Sequence, residues 1–434
     1  MDLGQRFRSG FGWTFLGTVC SQGSTLISYF LVGHQIGKES LGLFSIVLAT
    51  INTFVAVLQM ATGYTAAKYV SEFLATKPER AASVITLCWT LSGALGLFGS
   101  LVLIALADPL ATLWLKAPAL AANLRIAAIA IAFGTLTTFY MGALTGLGRF
   151  KLTGVGGTVA GTLGCLAMIF TTLRWGYEGA VGGIVFMSAL QCICLHLCFN
   201  RAVNDAGLAF RMQGVLEERT LIWRFAIPAA LSGLTAMPAL WIGNCILSSR
   251  PDGPTEMGGY TAVFSLRALV LVLPGLMNTV GLTLLNSQLG DRNAAAYHRT
   301  FWMNFRWILG AALIGSFGMF VLGPYLLRGV GREFDSARPI LPILLVSSVI
   351  EAITIAVYQI IQTRARMWLS FLAIALPRDC VLVLLGLILI PKYGGMGLAW
   401  SYTISWALTL ITVGATAALS RRREEAREIE VQAP

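Results

Sequence analysis

Charge is what this sequence lacks. Asp, Glu, Lys and Arg make up 12% of its 434 residues, against about 25% in soluble domains. With 56% hydrophobic residues and a mean hydropathy of +0.74, the chain reads as a polytopic membrane protein. A disulfide framework is missing too. Cys20, Cys88, Cys165, Cys192, Cys194, Cys198, Cys245 and Cys380 all fall inside apolar runs and read as buried free thiols. The run Cys192–Cys198 encloses His196, but helical spacing turns these side chains in different directions, so no metal site is predicted. No cofactor is implied, and Met1–Phe11 does not read as a cleavable signal, because the apolar run behind it is long enough to span. The stretch 66–82 lacks the Gly-x-x-x-Asp-Arg pattern of major-facilitator transporters.

What the chain has is apolar length. Twelve spans are predicted, at about 12–33, 41–65, 83–107, 122–147, 152–173, 179–199, 221–247, 259–286, 301–327, 339–362, 369–390 and 396–419. With the N-terminus inside, the inner segments carry 20 basic residues and the outer loops 8. The positive-inside rule then places both termini in the cytoplasm. The net charge of +11 is mostly accounted for by that topology and is no argument for nucleic acid.

The halves resemble each other. Gly42-Leu43 matches Gly259-Tyr260, Tyr140 matches Tyr358, and Trp175–Gly179 matches Pro391–Gly395, at offsets of 216 to 218. Six spans per half insert with the same orientation. The expected fold is therefore all-α: about 12 transmembrane helices in two parallel six-helix bundles with a central cavity between them. The bundles are assigned to 1–199 and 221–419. An amphipathic cytoplasmic linker at 200–220 joins them, and a charged cytoplasmic tail at 420–434 follows.

The span from Gly259 to Gln288 carries Arg267 between apolar flanks. An arginine stays charged, and placing it mid-bilayer costs about 2.5–3.5 kcal/mol on insertion scales, so it is retained where it meets a cavity or a partner. Helical spacing aligns it with Asn278 and with Pro274 and Gly281. Span one aligns Thr14, Thr18, Ser21, Thr25 and Ser28; span two aligns Ser45, Asn52, Gln59 and Gly63. Small and hydroxylated residues also serve close helix packing, but the amides of Asn52 and Gln59 gain more from water. These faces predict a cavity lined by spans one, two, seven and eight, with Arg267 there to meet an anion.

A second polar stripe, Ser347, Glu351, Thr354, Tyr358 and Gln362, runs along span ten, and span eleven carries Arg378 and Asp379. Adjacent residues diverge on a helix, so Arg378 and Asp379 are expected to reach different neighbours. Arg378 would brace Glu351; alternatively, Glu351 or Asp379 would carry a coupling proton or cation.

Three short motifs carry a family resemblance: His34-Gln35-Ile36-Gly37-Lys38-Glu39-Ser40-Leu41-Gly42-Leu43-Phe44, Gly146-Leu147-Gly148-Arg149-Phe150-Lys151 and Gly258-Gly259-Tyr260. Over essentially the whole chain the sequence resembles the bacterial O-antigen and exopolysaccharide flippases of the multidrug/oligosaccharidyl-lipid/polysaccharide exporter superfamily. The resemblance implies a multi-pass protein of the bacterial inner membrane, not an enzyme. It implies an undecaprenyl-pyrophosphate-linked oligosaccharide moved between leaflets by alternating access, coupled to a proton or sodium gradient. Membrane lipids and other polysaccharide-assembly proteins are the implied partners. A cationic cavity is common in such proteins; Arg267 would supply it here, with Arg8, Lys68 and Arg224 near the inner mouth. The runner-up is a multidrug/cation antiporter of the same superfamily, which would favour an acid in the lining. A membrane glycosyltransferase or polysaccharide polymerase would need catalytic acids on a sizeable loop; the outer loops are short and no Asp-x-Asp occurs.

Overall fold

The computed structural model describes residues 3–59, 62–74, 76–208, 235–290, 294–363 and 370–432. Among them every regular element is helical. In order these are α1 (Leu3–Leu58), α2 (Thr62–Phe73), α3 (Pro78–Pro109), α4 (Leu120–Gly146) and α5 (Phe150–Asp205). There follow α6 (Ala236–Ser248), α7 (Gly253–Gly290), α8 (Ala294–Val330), α9 (Ile340–Gln362), α10 (Leu376–Tyr393) and α11 (Gly395–Gln432).

Nine described helices are long and apolar enough to cross a membrane. The twelve predicted spans emerge once the backbone breaks are read. Gly37 (φ 81°, ψ 171°) divides α1, and Gly176 (φ 60°, ψ −134°) divides α5. α6 is the described end of the seventh span. Several helices outrun their predicted limits: α8 occupies 294–330 where 301–327 was expected. Their charged end turns stay helical beyond the hydrocarbon.

Gly394 adopts φ 58° and ψ −131°, nearly the conformation of Gly176. A side chain there would cost on the order of 1–3 kcal/mol, so glycine marks both places where one span turns directly into the next. Three residues further on, Gly179 lies against the Thr171 carbonyl and Gly397 against the Leu389 carbonyl. These equivalences all run at an offset of 218, which corrects the 216 expected for this segment. Left-handed backbone admits glycine, so Gly176 aligns with Gly394, and the match of Tyr177 to Tyr393 is incidental.

Chain contacts define two compact units, Met1–Gly258 and Gly259–Pro434. In the first, α4 packs on α2, α3 and α5, and α1 packs on α5 and α6. Gly142 meets the Gly63 backbone directly, an approach that only a missing side chain allows. An aromatic cluster of Phe139, Tyr140 and Phe199 fills the centre, among Val84, Leu144 and Leu195. α6 belongs to this unit because Trp241 Nε1 donates to Thr50 Oγ1 at 2.9 Å and its ring stacks on Trp114 at 5.7 Å. Gly42 and Gly258 each press on the carbonyl of the other's neighbour, Pro254 and Lys38 respectively. Of the linker expected at 200–220, residues 209–220 lie outside the described residues.

In the second unit α9 packs on α8 and α11, and α10 on α11. Ile308 and Ala312 of α8 meet Ala352 and Ala356 of α9. These small residues bring the helices close, and that closeness sets up the polar centre of the unit.

Candidate functional site

Arg267 is 3% exposed and faces α9 and α11 within the second unit. Its Nε donates to Ser347 Oγ at 3.1 Å, and its Nη2 donates to Tyr402 OH at 3.0 Å and to Glu351 Oε2. Tyr402 OH in turn donates to Glu351 Oε2 at 3.0 Å. The guanidinium lies over the rings of Tyr402 (4.6 Å) and Phe264 (5.0 Å), which meet each other edge to face. Tyr260, one turn before Phe264, continues the aromatic wall. Three helices thus close a triad of arginine, carboxylate and phenol, lined by aromatic faces that strengthen its electrostatics.

The partners differ from those expected. Glu351 takes Arg267, not Arg378. Arg378 Nε donates to its own neighbour Asp379 at 2.8 Å and Nη2 at 3.2 Å, and its guanidinium covers Trp406 at 5.0 Å. The expectation that adjacent residues part company holds for Cβ directions but not for a long side chain that folds back. Both acids named as coupling candidates are therefore matched to an arginine, Asp379 being almost fully buried. Arg267, expected on a cavity face with a brace to a carboxylate such as Glu351 as the alternative, is enclosed by its own unit and pairs with that carboxylate.

Tyr402 was missed in the sequence, as was Gln359. Gln359 is fully buried and its Nε2 donates to Asn278 Oδ1 at 2.7 Å and to the Asn278 carbonyl at 3.0 Å. Asn304 Nδ2 donates to Gln359 Oε1 at 3.1 Å. The predicted residue Asn278 thus belongs to an amide relay joining α7, α8 and α9, about two to three turns from the triad. Tyr358 bonds Ser370. In the first unit Asn52 is exposed, Gln59 is half-buried, and Lys68 is exposed beside the Tyr69 ring. The side chains of Arg8, Thr18, Ser21 and Thr25, and Arg224 altogether, lie outside the described residues.

His196 is engaged by polar neighbours. Its Nδ1 is 2.9 Å from Tyr140 OH and its Nε2 2.9 Å from Asn200 Nδ2, while Trp89 Nε1 donates to Tyr140 at 3.1 Å. Among the described residues no three His, Cys, Asp or Glu side chains gather where they could hold a metal.

The long apolar helices define a multi-pass membrane protein. Three solved structures share the fold. One is a multidrug resistance MATE family transporter of the MOP superfamily in an inward-facing conformation, 15% identical, with TM-score 0.72 over 97% of this chain and 100% of that one. Its outward-facing counterpart is 17% identical with TM-score 0.71, over 97% and 96%. A MOP superfamily transporter from Pyrococcus furiosus, described as having a binding pocket of reversed polarity, is 15% identical with TM-score 0.70, over 96% of each chain. No curated protein matches the sequence. Residues 7–282 match the family described as "Polysaccharide biosynthesis protein". The chain belongs to that family.

Proposed function

We propose that this protein is a flippase that carries an undecaprenyl-pyrophosphate-linked oligosaccharide across the bacterial inner membrane by alternating access. The observation that carries the reading is membership of the polysaccharide biosynthesis family on a transporter fold. The pairing of two acids in the second unit supports it: Glu351 and Asp379 are each neutralised by an arginine, so neither is a free carboxylate for a cationic drug.

In this reading the triad works by exchange of partners. Arg267 offers a planar, two-pronged donor set that suits phosphate oxygens. When a conformational change brings the substrate's diphosphate to Arg267, Glu351 loses its counter-charge inside an apolar unit. Charge balance then requires a cation at Glu351, a proton or sodium. Return of Arg267 to Glu351 expels both. Anion movement and cation movement are thereby linked through one guanidinium. Asn278 would steer the same substrate through the Gln359 relay, and Asn52, Gln59, Thr18, Ser21 and Thr25 would offer hydroxyls and amides to its sugars. Arg8, Lys68 and Arg224 would gather the phosphate at the inner mouth.

Both termini and the linker are proposed to be cytoplasmic, on the excess of basic residues in those segments. Alkaline phosphatase fused after residue 434 should be inactive, and fused in the loop near Arg250 active; the opposite pattern inverts the layout. Function itself is tested in cells lacking the gene, where lipid-linked oligosaccharide should accumulate on the cytoplasmic leaflet. Undiminished surface glycan in such cells would end the flippase reading.

A further inference from the structure

A groove of about 910 Å³ runs between α7 and α8 in the second unit. Its floor is apolar: Leu273 and Met277 on one wall, Gly310, Ala311 and Ile314 on the other. One end is basic and aromatic, with Arg299, Trp302, Arg306 and Trp307. Residues 299, 302, 306 and 310 recur at helical spacing, so charges and apolar floor share one face of α8. Among the described residues no carboxylate lines the groove.

Arg299 and Arg306 are exposed, and neither is in an ion pair with a described residue. Four other arginines near helix ends are matched: Arg125 to Asp108, Arg149 to Asp205, Arg250 to Glu256, and Arg328 to Asp335 at the far end of this same helix. α8 has 37 residues, whereas about 20 cross the hydrocarbon. Its first turns therefore stand at headgroup level, where Trp302 and Trp307 are suited to the interface. The two arginines lie about 10 Å apart along the axis, and the apolar floor begins about 6 Å further in. Arginine side chains can bridge that spacing to a phosphate, with an acyl chain running inward from it.

We infer that this groove is a binding site for an anionic phospholipid, with its phosphate held by Arg299 and Arg306 and one chain lying over Gly310 and Ile314. An interfacial aromatic belt with snorkelling arginines would explain the residue types. It would not explain a two-helix groove whose charged mouth has no counter-charge among the described residues and whose floor continues from that mouth. Under the proposed topology the site opens on the inner leaflet, where basic pockets between spans take anionic headgroups. The inference stands apart from the flippase reading, since the triad and the amide relay contribute nothing to it.

The test uses the purified full-length protein in detergent, with phosphatidylglycerol or zwitterionic phosphatidylethanolamine added and retained lipid read by native mass spectrometry. Phosphatidylglycerol should be retained at least tenfold more strongly. The double variant Arg299→Gln/Arg306→Gln should lose that preference by roughly tenfold or more, while Arg328→Gln keeps it. A side chain at Gly310 meets open space, so Gly310→Leu should fold normally and block the chain, lowering retention with both charges intact. Equal retention of the two lipids overturns the site, as does a double variant or a Gly310→Leu protein with unchanged retention. Displacement of phosphatidylglycerol by a polyprenyl diphosphate at lower concentration also overturns it, giving the groove to the substrate's lipid.

Discussion

Arg267→Ala is expected to remove most of the folded protein from the membrane. Glu351 is 14% exposed, so losing Arg267 strands a carboxylate inside the second unit with Tyr402 as its remaining donor. Breaking a buried pair by deleting one partner costs about 3–5 kcal/mol, a large share of the 5–15 kcal/mol that holds a domain folded. The loss of two ring contacts adds to it. Replacing both charges together with methionine leaves no stranded charge, and the double variant should recover much of the lost abundance. Arg267→Lys keeps the charge but loses the fork, so it should fold and transport poorly. Immunoblots of membranes and thermal unfolding in detergent read these outcomes. Normal abundance of Arg267→Ala would mean that the Arg267–Glu351 pair contributes little to the fold.

Glu351→Gln is expected to lower abundance, though less than Arg267→Ala because glutamine keeps both hydrogen bonds, and to lose gradient-driven transport in the protein that folds. Glutamine keeps the shape and accepts from Arg267 and Tyr402 through its carbonyl, although the uncompensated guanidinium lowers stability. It cannot take up a cation when Arg267 departs, so substrate movement and ion movement come apart. In vesicles with an imposed proton or sodium gradient, wild-type protein should accumulate substrate on one leaflet. The variant should only equilibrate it, with accumulation reduced at least tenfold. A stable Glu351→Gln protein that still concentrates substrate under the same gradient would remove Glu351 from coupling.

Much of this was legible in the sequence because a bilayer makes hydrophobic length a strong signal. The spans, the internal similarity and the peculiarity of Arg267 all follow from it. Glu351 could be named as a brace for Arg267, but which way Arg267 turns, toward a cavity or toward that brace, was not legible. It depends on α9 and α11, 80 and 135 residues away, and helical spacing within α7 is blind to that. A hint existed: Tyr260, Phe264 and Arg267 share a face, and aromatic residues one and two turns from an arginine suggest an enclosed cation. Tyr402 was hidden among the small residues of α11, where a lone tyrosine reads as packing. Gln359 escaped because it lies one position off the polar stripe of Tyr358. The Arg378–Asp379 pair was discounted by a rule about Cβ directions that long side chains evade. The register of the repeat slipped by two at Gly176, where backbone conformation rather than residue similarity decides the alignment.

The most direct measurement is leaflet transfer by the purified protein alone. Reconstituted into vesicles holding a fluorescent polyprenyl-diphosphate oligosaccharide, the protein should move the probe until an impermeant glycan-modifying reagent reaches nearly all of it. Protein-free vesicles should leave about half protected, and Arg267→Lys should fall well below wild type. A probe that stays as protected as in protein-free vesicles, together with gradient-driven extrusion of a cationic dye by the same preparation, would contradict the flippase account.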